Sequence, residues 1–174
     1  MFSAKNFVLK SIFTLLVFIT LAGFSPQKNK HGKKNSTNFH NDSILCDSMI
    51  KVAEKHIKKP YCYGSRVPNC FDCSGFVSHV FKQFEVSLPH CSSCQAQLGK
   101  FVSFENATAG DLIFFTGRNK NSETVGHMGI VTEQKDDKIF FIHASVQAGV
   151  IVSNTKEDYY ASRLMFVKRI HIEP

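Results

Sequence analysis

The sequence predicts an α+β fold, with N-terminal helices packed on an antiparallel β-sheet. Three observations predict it. Between residues 42 and 98, apolar side chains recur three and four positions apart, the spacing of a helix with one buried face. From about residue 100 the period shortens, and five short runs rich in β-branched and aromatic residues follow one another. Helices first and consecutive strands afterwards is the pattern of an α+β domain rather than of alternating βαβ units.

The chain begins with Lys5 and Lys10, followed by an uncharged apolar run from Ser11 to Phe24. That run is short for a membrane span of about 20 residues and suits the core of a signal peptide. Residues 1–25 are read as a signal peptide or N-terminal anchor. Residues 26–41 are read as a polar linker, and 42–174 as the folded domain. Asp42 or Ser43 can cap a first helix carrying Leu45, Met49, Val52, Ala53 and Ile57, which Pro60 stops. Tyr61 to Asn69 reads as loop. Asp72 precedes a second helix with Phe76, Val77, Val80, Phe81 and Phe84 on one face, and Ser92 or Ser93 opens a short third one through Leu98. Strands are expected at Asp111–Phe115, His127–Val131, Lys138–His143, Val150–Ser153 and Leu164–Ile170.

Net charge is +7, with a sequence pI near 9.1. Six of those charges are lysines within residues 1–41, which hold no acid, so residues 42–174 sum to +1. A near-neutral domain lacks the basic face of a nucleic-acid binder, and no nucleic-acid partner is expected. Contact with a membrane is expected only through the N-terminal segment, if it stays uncleaved. The apolar export segment places the domain outside the cytoplasm, periplasmic or extracellular.

Six cysteines, at 46, 62, 70, 73, 91 and 94, leave a choice open. Cys70/Cys73 and Cys91/Cys94 form two C-x2-C pairs 17 residues apart, a spacing that suits a four-thiolate zinc site. Against zinc, the segment between the pairs is an amphipathic helix, and export favours disulfides or a reactive thiol. If Cys73 is a free nucleophile, five cysteines remain, so at least one more is unpaired or pairs between chains. Which ones pair cannot be read from spacing.

Asp72-Cys73-Ser74-Gly75 puts a thiol at a helix N-terminus, where unpaired N–H groups and the helix dipole favour a thiolate and can hold an oxyanion. Gly75 removes a side chain where a substrate backbone can approach. A thiol nucleophile needs a base and a group that orients the base. His127 shares a strand face with Gly129 and Val131, and His143 shares one with Ile139 and Phe141, because strand side chains alternate. Two such strands can bring the imidazoles together. His31, His40, His56, His79, His90 and His171 are read as surface or linker residues.

These residues resemble the motifs of the NlpC/P60 cell-wall cysteine peptidases. Asp72-Cys73-Ser74-Gly75-Phe76-Val77 looks like the nucleophile block, and Pro60-Tyr61-Cys62-Tyr63-Gly64 like the segment before it. Leu88-Pro89-His90-Cys91-Ser92-Ser93-Cys94-Gln95 is similar to a Leu-Pro-Arg-Thr-Ser-x-x-Gln block, with His90 and Cys91 in place of Arg and Thr. Ala109-Gly110-Asp111-Leu112, His127-Met128-Gly129-Ile130 and His143-Ala144-Ser145 follow in the family's order, over residues 44–170. The resemblance implies a papain-like core with Cys73 as nucleophile, His127 as general base then acid, and His143 as its orienter. It implies Tyr61, Asp72 and Ser74 at the substrate site, with Asp72 suited to a free amine. It also implies a peptidoglycan stem peptide as substrate, cut between γ-D-glutamate and a diamino acid, and neither metal nor cofactor. An amidase or acyltransferase using the same residues, or a zinc-stabilised binding module, are the alternatives.

Overall fold

The computed structural model describes residues 36–65 and 67–172. The segment read as a signal peptide and most of the stretch read as linker lie outside them. Helix α1 spans Ser36–Glu54, α2 Cys73–Lys82 and α3 Ser92–Gln95. Six strands follow: β1 Lys100–Val102, β2 Leu112–Thr116, β3 Val125–Lys135, β4 Lys138–Ser145, β5 Gly149–Asn154 and β6 Leu164–Arg169. A one-turn helix, α4 (Asp158–Ala161), sits between β5 and β6. The strands form one sheet in the order β1-β6-β2-β3-β4-β5, and each neighbouring pair is antiparallel.

Each strand of the sheet's centre is apolar on both faces, so the sheet is covered twice. Leu112 and Phe114 of β2, Met128 and Ile130 of β3, and Ile142 and Ala144 of β4 meet the helices through Met49, Ala53, Phe76, Val77, Val80 and Phe81. The alternate residues Ile113, Phe115, Val131 and Phe141 pack with Val167 and Tyr160 on the opposite face. Burying one such side chain contributes about 1.5–3 kcal/mol, so these two layers supply the main folding drive. Asp111, buried just before β2, accepts hydrogen bonds from Arg169 Nε at 2.7 Å and Arg169 Nη2 at 2.8 Å, which ties the end of β6 to the start of β2.

Three sequence expectations need correction. Helix α1 starts at Ser36, inside the stretch read as linker, rather than at Asp42 or Ser43. It ends at Glu54, so Ile57 falls beyond its buried stripe and is 40% exposed, and Lys58 turns the chain with a φ of 70°. Strand β1 and helix α4 carry too few residues for a periodic pattern and were not anticipated. The five expected strands are all present, and β3 runs four residues past Val131.

Candidate active site

The loop before α2 is closed twice. Tyr61 pairs with Phe71 in an isolated parallel bridge, and Cys62 is disulfide-bonded to Cys70. This brings Tyr61 beside the first turn of α2. Asp72 is the N-cap. Its Oδ1 accepts from the Gly75 N–H at 2.6 Å, the Ser74 hydroxyl at 3.1 Å and His90 Nε2 at 2.9 Å. Its Oδ2 accepts from the Gly64 N–H at 2.9 Å. Three donors crowd Oδ1 and one meets Oδ2, so Asp72 is an organising centre for the loop, the helix and the Leu88–Gln95 segment. Gly75 has no room for a side chain. A Cβ there would meet the Ser65 carbonyl, His90 Nε2 at 2.8 Å and Asp72 Oδ1 at 3.0 Å. The expectation that Gly75 clears space for substrate is corrected: the protein's own backbone fills that space.

Cys73 follows the cap, partly buried against the helix-side core. The backbone N–H groups of Ser74, Cys73 and Met128 face its sulfur and pull the thiol pKa down. Burial, and then the Asp72 charge, outweigh them and push it up to about 11. The expected low pKa is therefore corrected. The dipole end of α2 already has an anion on it, because Asp72 takes the Gly75 N–H.

The histidines stand on the other face of the sheet. His127 Nε2 lies 2.9 Å from His143 Nδ1. Gly129 makes this meeting possible, since a Cβ there would come within 3.0 Å of His143 Cβ and 2.8 Å of the Ile142 carbonyl oxygen. His143 is fully buried, and its Nε2 is 3.1 Å from the Tyr160 hydroxyl and 3.4 Å from Ser153 Oγ. Phe115, Phe141 and Tyr160 enclose the two rings at centroid distances of 5.0–6.4 Å. Burial lowers the His127 pKa to about 4 and takes that of His143 well below its ordinary value, with His127 adding to the effect. Both imidazoles are neutral near pH 7.

Of the six residues singled out from sequence, Tyr61, Asp72, Cys73 and Ser74 gather at the start of α2. His127 and His143 meet each other from the neighbouring strands β3 and β4, and His127 directly precedes Met128, whose N–H faces the sulfur. Burial raises the Tyr61 pKa to about 12, with the charges of Cys73 and Asp72 adding to the rise. Tyr160, His90 and Gln95 were missed. Gln95, fully buried, donates from Nε2 to the Ser74 carbonyl, Ser78 Oγ and the Pro89 carbonyl at 2.7–3.1 Å. The substitution of His90 into an otherwise matching block was the signal for that residue. Nothing local marked Tyr160. His56, read as a surface residue, is buried edge-on against Phe71.

The cysteines do not pair as the zinc alternative requires. Cys62–Cys70 and Cys91–Cys94 are disulfides, and Cys46 and Cys73 lie outside them, so the two C-x2-C pairs do not pool four sulfurs. Among the described residues, no group of three or more His, Cys, Asp or Glu is placed to hold a metal.

Helices at the start of the chain, packed on a six-stranded antiparallel sheet, give the α+β arrangement of a papain-like fold. The NlpC/P60 family matches residues 58–169, and the chain belongs to that family. It is similar to a probable endopeptidase of Haemophilus influenzae, at 41% identity over 64% of this chain and 66% of that protein. It is also similar to the murein DD-endopeptidase MepS/murein LD-carboxypeptidase of Escherichia coli K12, at 35% identity over 63% and 55%. Among solved structures, an NLP/P60-family protein of Staphylococcus aureus described as similar to lipoprotein superposes with a TM-score of 0.65, at 30% identity over 75% of this chain and 43% of that one. The chain thus matches between about half and two thirds of these curated relatives' length.

Proposed function

We propose that this chain is a cysteine endopeptidase that hydrolyses peptidoglycan stem peptides, with Cys73, His127 and His143 as its catalytic residues. The observation that carries the reading is the 2.9 Å pairing of His127 Nε2 with His143 Nδ1, on the strand whose next residue, Met128, turns its N–H to the Cys73 sulfur. With Nε2 engaged, His127 offers Nδ1 to the thiol.

The resting pair is neutral, a thiol and an imidazole. As the sulfur attacks the scissile carbonyl carbon, the thiol proton passes to His127 Nδ1. The N–H groups that face the sulfur stabilise the tetrahedral oxyanion. His127 then gives its proton to the departing amine, leaving a thioester on Cys73. Water, deprotonated by His127, attacks the thioester and restores the thiol.

Tyr61, Asp72 and Ser74 line the approach to the thiol. Three of the four hydrogen bonds that Asp72 accepts are on Oδ1, so a substrate ammonium would approach Oδ2, which accepts one. N-acetylating a stem peptide should therefore reduce turnover. The bond expected to break is the one between γ-D-glutamate and the diamino acid. A second reading is favoured by the E. coli relative, whose name specifies a DD-endopeptidase and an LD-carboxypeptidase. Both readings put the chain outside the cytoplasm, where two disulfides persist.

Mass spectrometry of defined muropeptides separates these possibilities. A free L-Ala-γ-D-Glu-diamino acid peptide cut after D-Glu supports the first reading. Opening of a D-Ala-linked dimer, with the tripeptide untouched, supports the second. Release of the whole peptide from its sugar would make the protein an amidase.

A further inference from the structure

We infer that Tyr160 is a positioning residue: its hydroxyl fixes the tautomer of His143 and, through it, the tautomer of His127. The inference rests on the reading of His127 as the base, and it follows from counting protons along a chain of contacts. To receive the Cys73 proton at Nδ1, a neutral His127 must carry its own proton on Nε2. Nε2 then donates to His143 Nδ1, 2.9 Å away, which must be bare. A neutral imidazole has one N–H, so His143 carries its proton on Nε2. That N–H is fully buried and needs an acceptor.

The Tyr160 oxygen stands 3.1 Å from His143 Nε2, closer than Ser153 Oγ at 3.4 Å. Burial raises the Tyr160 pKa, and Ser153 and Ser145 beside its hydroxyl pull the other way. The ring is locked between Phe115, Phe141 and Tyr159, at centroid distances of 5.0–5.4 Å. It enters from α4, an element outside the sheet that carries both histidines. Without the hydroxyl, His143 is free to move its proton to Nδ1. It would then donate to His127 Nε2 and force the His127 proton onto Nδ1, where it blocks the thiol. A histidine held in the wrong tautomer is a poor base even when its position is unchanged.

Tyr160→Phe keeps the ring packing and removes only the oxygen. It should lower kcat about tenfold, the size expected for one buried hydrogen bond, and leave KM within about twofold. In a His143→Ala background the same substitution should change kcat less than twofold, because the group it acts through is gone. Ring-nitrogen NMR of 15N-histidine-labelled protein gives a readout that packing alone would not move. The wild type should show both His127 and His143 protonated on Nε2, and Tyr160→Phe should show His143 with an Nδ1–H population.

Either of two results overturns the inference: a wild-type His143 protonated on Nδ1, or a Tyr160→Phe protein with unchanged kcat and unchanged tautomers. Equal losses in both backgrounds would also overturn it, since Tyr160 would then act independently of His143. The NMR arm needs no substrate, so it decides the inference even for a chain that cleaves no muropeptide, a result that would instead sink the peptidase reading.

Discussion

The two halves of the candidate site are held in different ways. The thiol half stands at the end of a helix and is fixed by polar contacts. Asp72 gathers four donors, Gln95 ties down the Ser74 carbonyl, and disulfides close the segments on either side. The imidazole half stands on the far face of the sheet and is fixed by aromatic packing and strand register. Hydrogen bonds aim the sulfur, whereas burial sets both the orientation and the protonation state of the base. The contrast predicts different failures: polar changes on the first side should cost mainly structure, and small changes on the second should cost mainly rate.

The largest effect should come from the base itself. His127→Asn should lower kcat/KM by about 10³-fold or more, by analogy with removal of a catalytic base, while circular dichroism stays unchanged. His143→Asn should keep measurable activity, because an amide can still accept from His127, and His143→Ala should be worse. If His143→Asn proves as inactive as His127→Asn, His143 moves a proton or binds substrate.

Gly129→Ala sharpens the packing side. The new methyl would sit 3.0 Å from His143 Cβ, and a displacement near 1 Å can cost about 10²-fold. The check is kcat/KM together with the thermal midpoint. A variant with near wild-type activity would show that the histidine pair tolerates displacement.

Acidity separates the two halves again. Burial puts the His127 pKa at about 4, so the base stays neutral and competent down to that pH. The acid limb of kcat/KM should therefore fall near pH 4 rather than 6.5. Stability should respond earlier. Burial also lowers the pKa of His56 to about 4 and depresses those of His79 and His143. Their unfolded counterparts charge below about 6.5, so between pH 6.5 and 4 the unfolded chain binds more protons. Folding stability is full above that window and falls as pH drops through it. Thermal melts across pH 4–8 measure this, and a flat profile would contradict the burial of these four rings.

The smallest effect should come from the polar frame away from the thiol. Asp111→Asn weakens a carboxylate–guanidinium pair whose Arg169 side chain is 49% exposed, so about 1–3 kcal/mol of stability should go with kcat little changed. Cys91→Ala and Cys94→Ala should likewise cost far less activity than any change at Cys73.

The same contrast explains what was legible in the sequence. The thiol half is written locally: Asp72 and Cys73 are a cap and the first residue of a helix, and adjacent letters suffice to read them. His127 and His143 could be assigned to one face by alternation, but their contact depends on register and on Gly129, which no single strand reveals. Tyr160 comes from a one-turn helix with no periodic signal. The thiol pKa was misjudged because the sequence shows the helix end but not the burial of Cys73, which together with the Asp72 charge outweighs it. The disulfides were unreadable because spacing leaves several pairings open.

The central claim is that Cys73 attacks the stem peptide. Acid-quenched intact-mass spectrometry of the protein turning over a defined muropeptide, alongside Cys73→Ala, tests it most directly. The account predicts a transient mass increase equal to the acyl fragment, mapped to Cys73 by peptide sequencing. Cys73→Ala should show neither adduct nor turnover. Turnover surviving in Cys73→Ala, or an adduct on another residue, would contradict it.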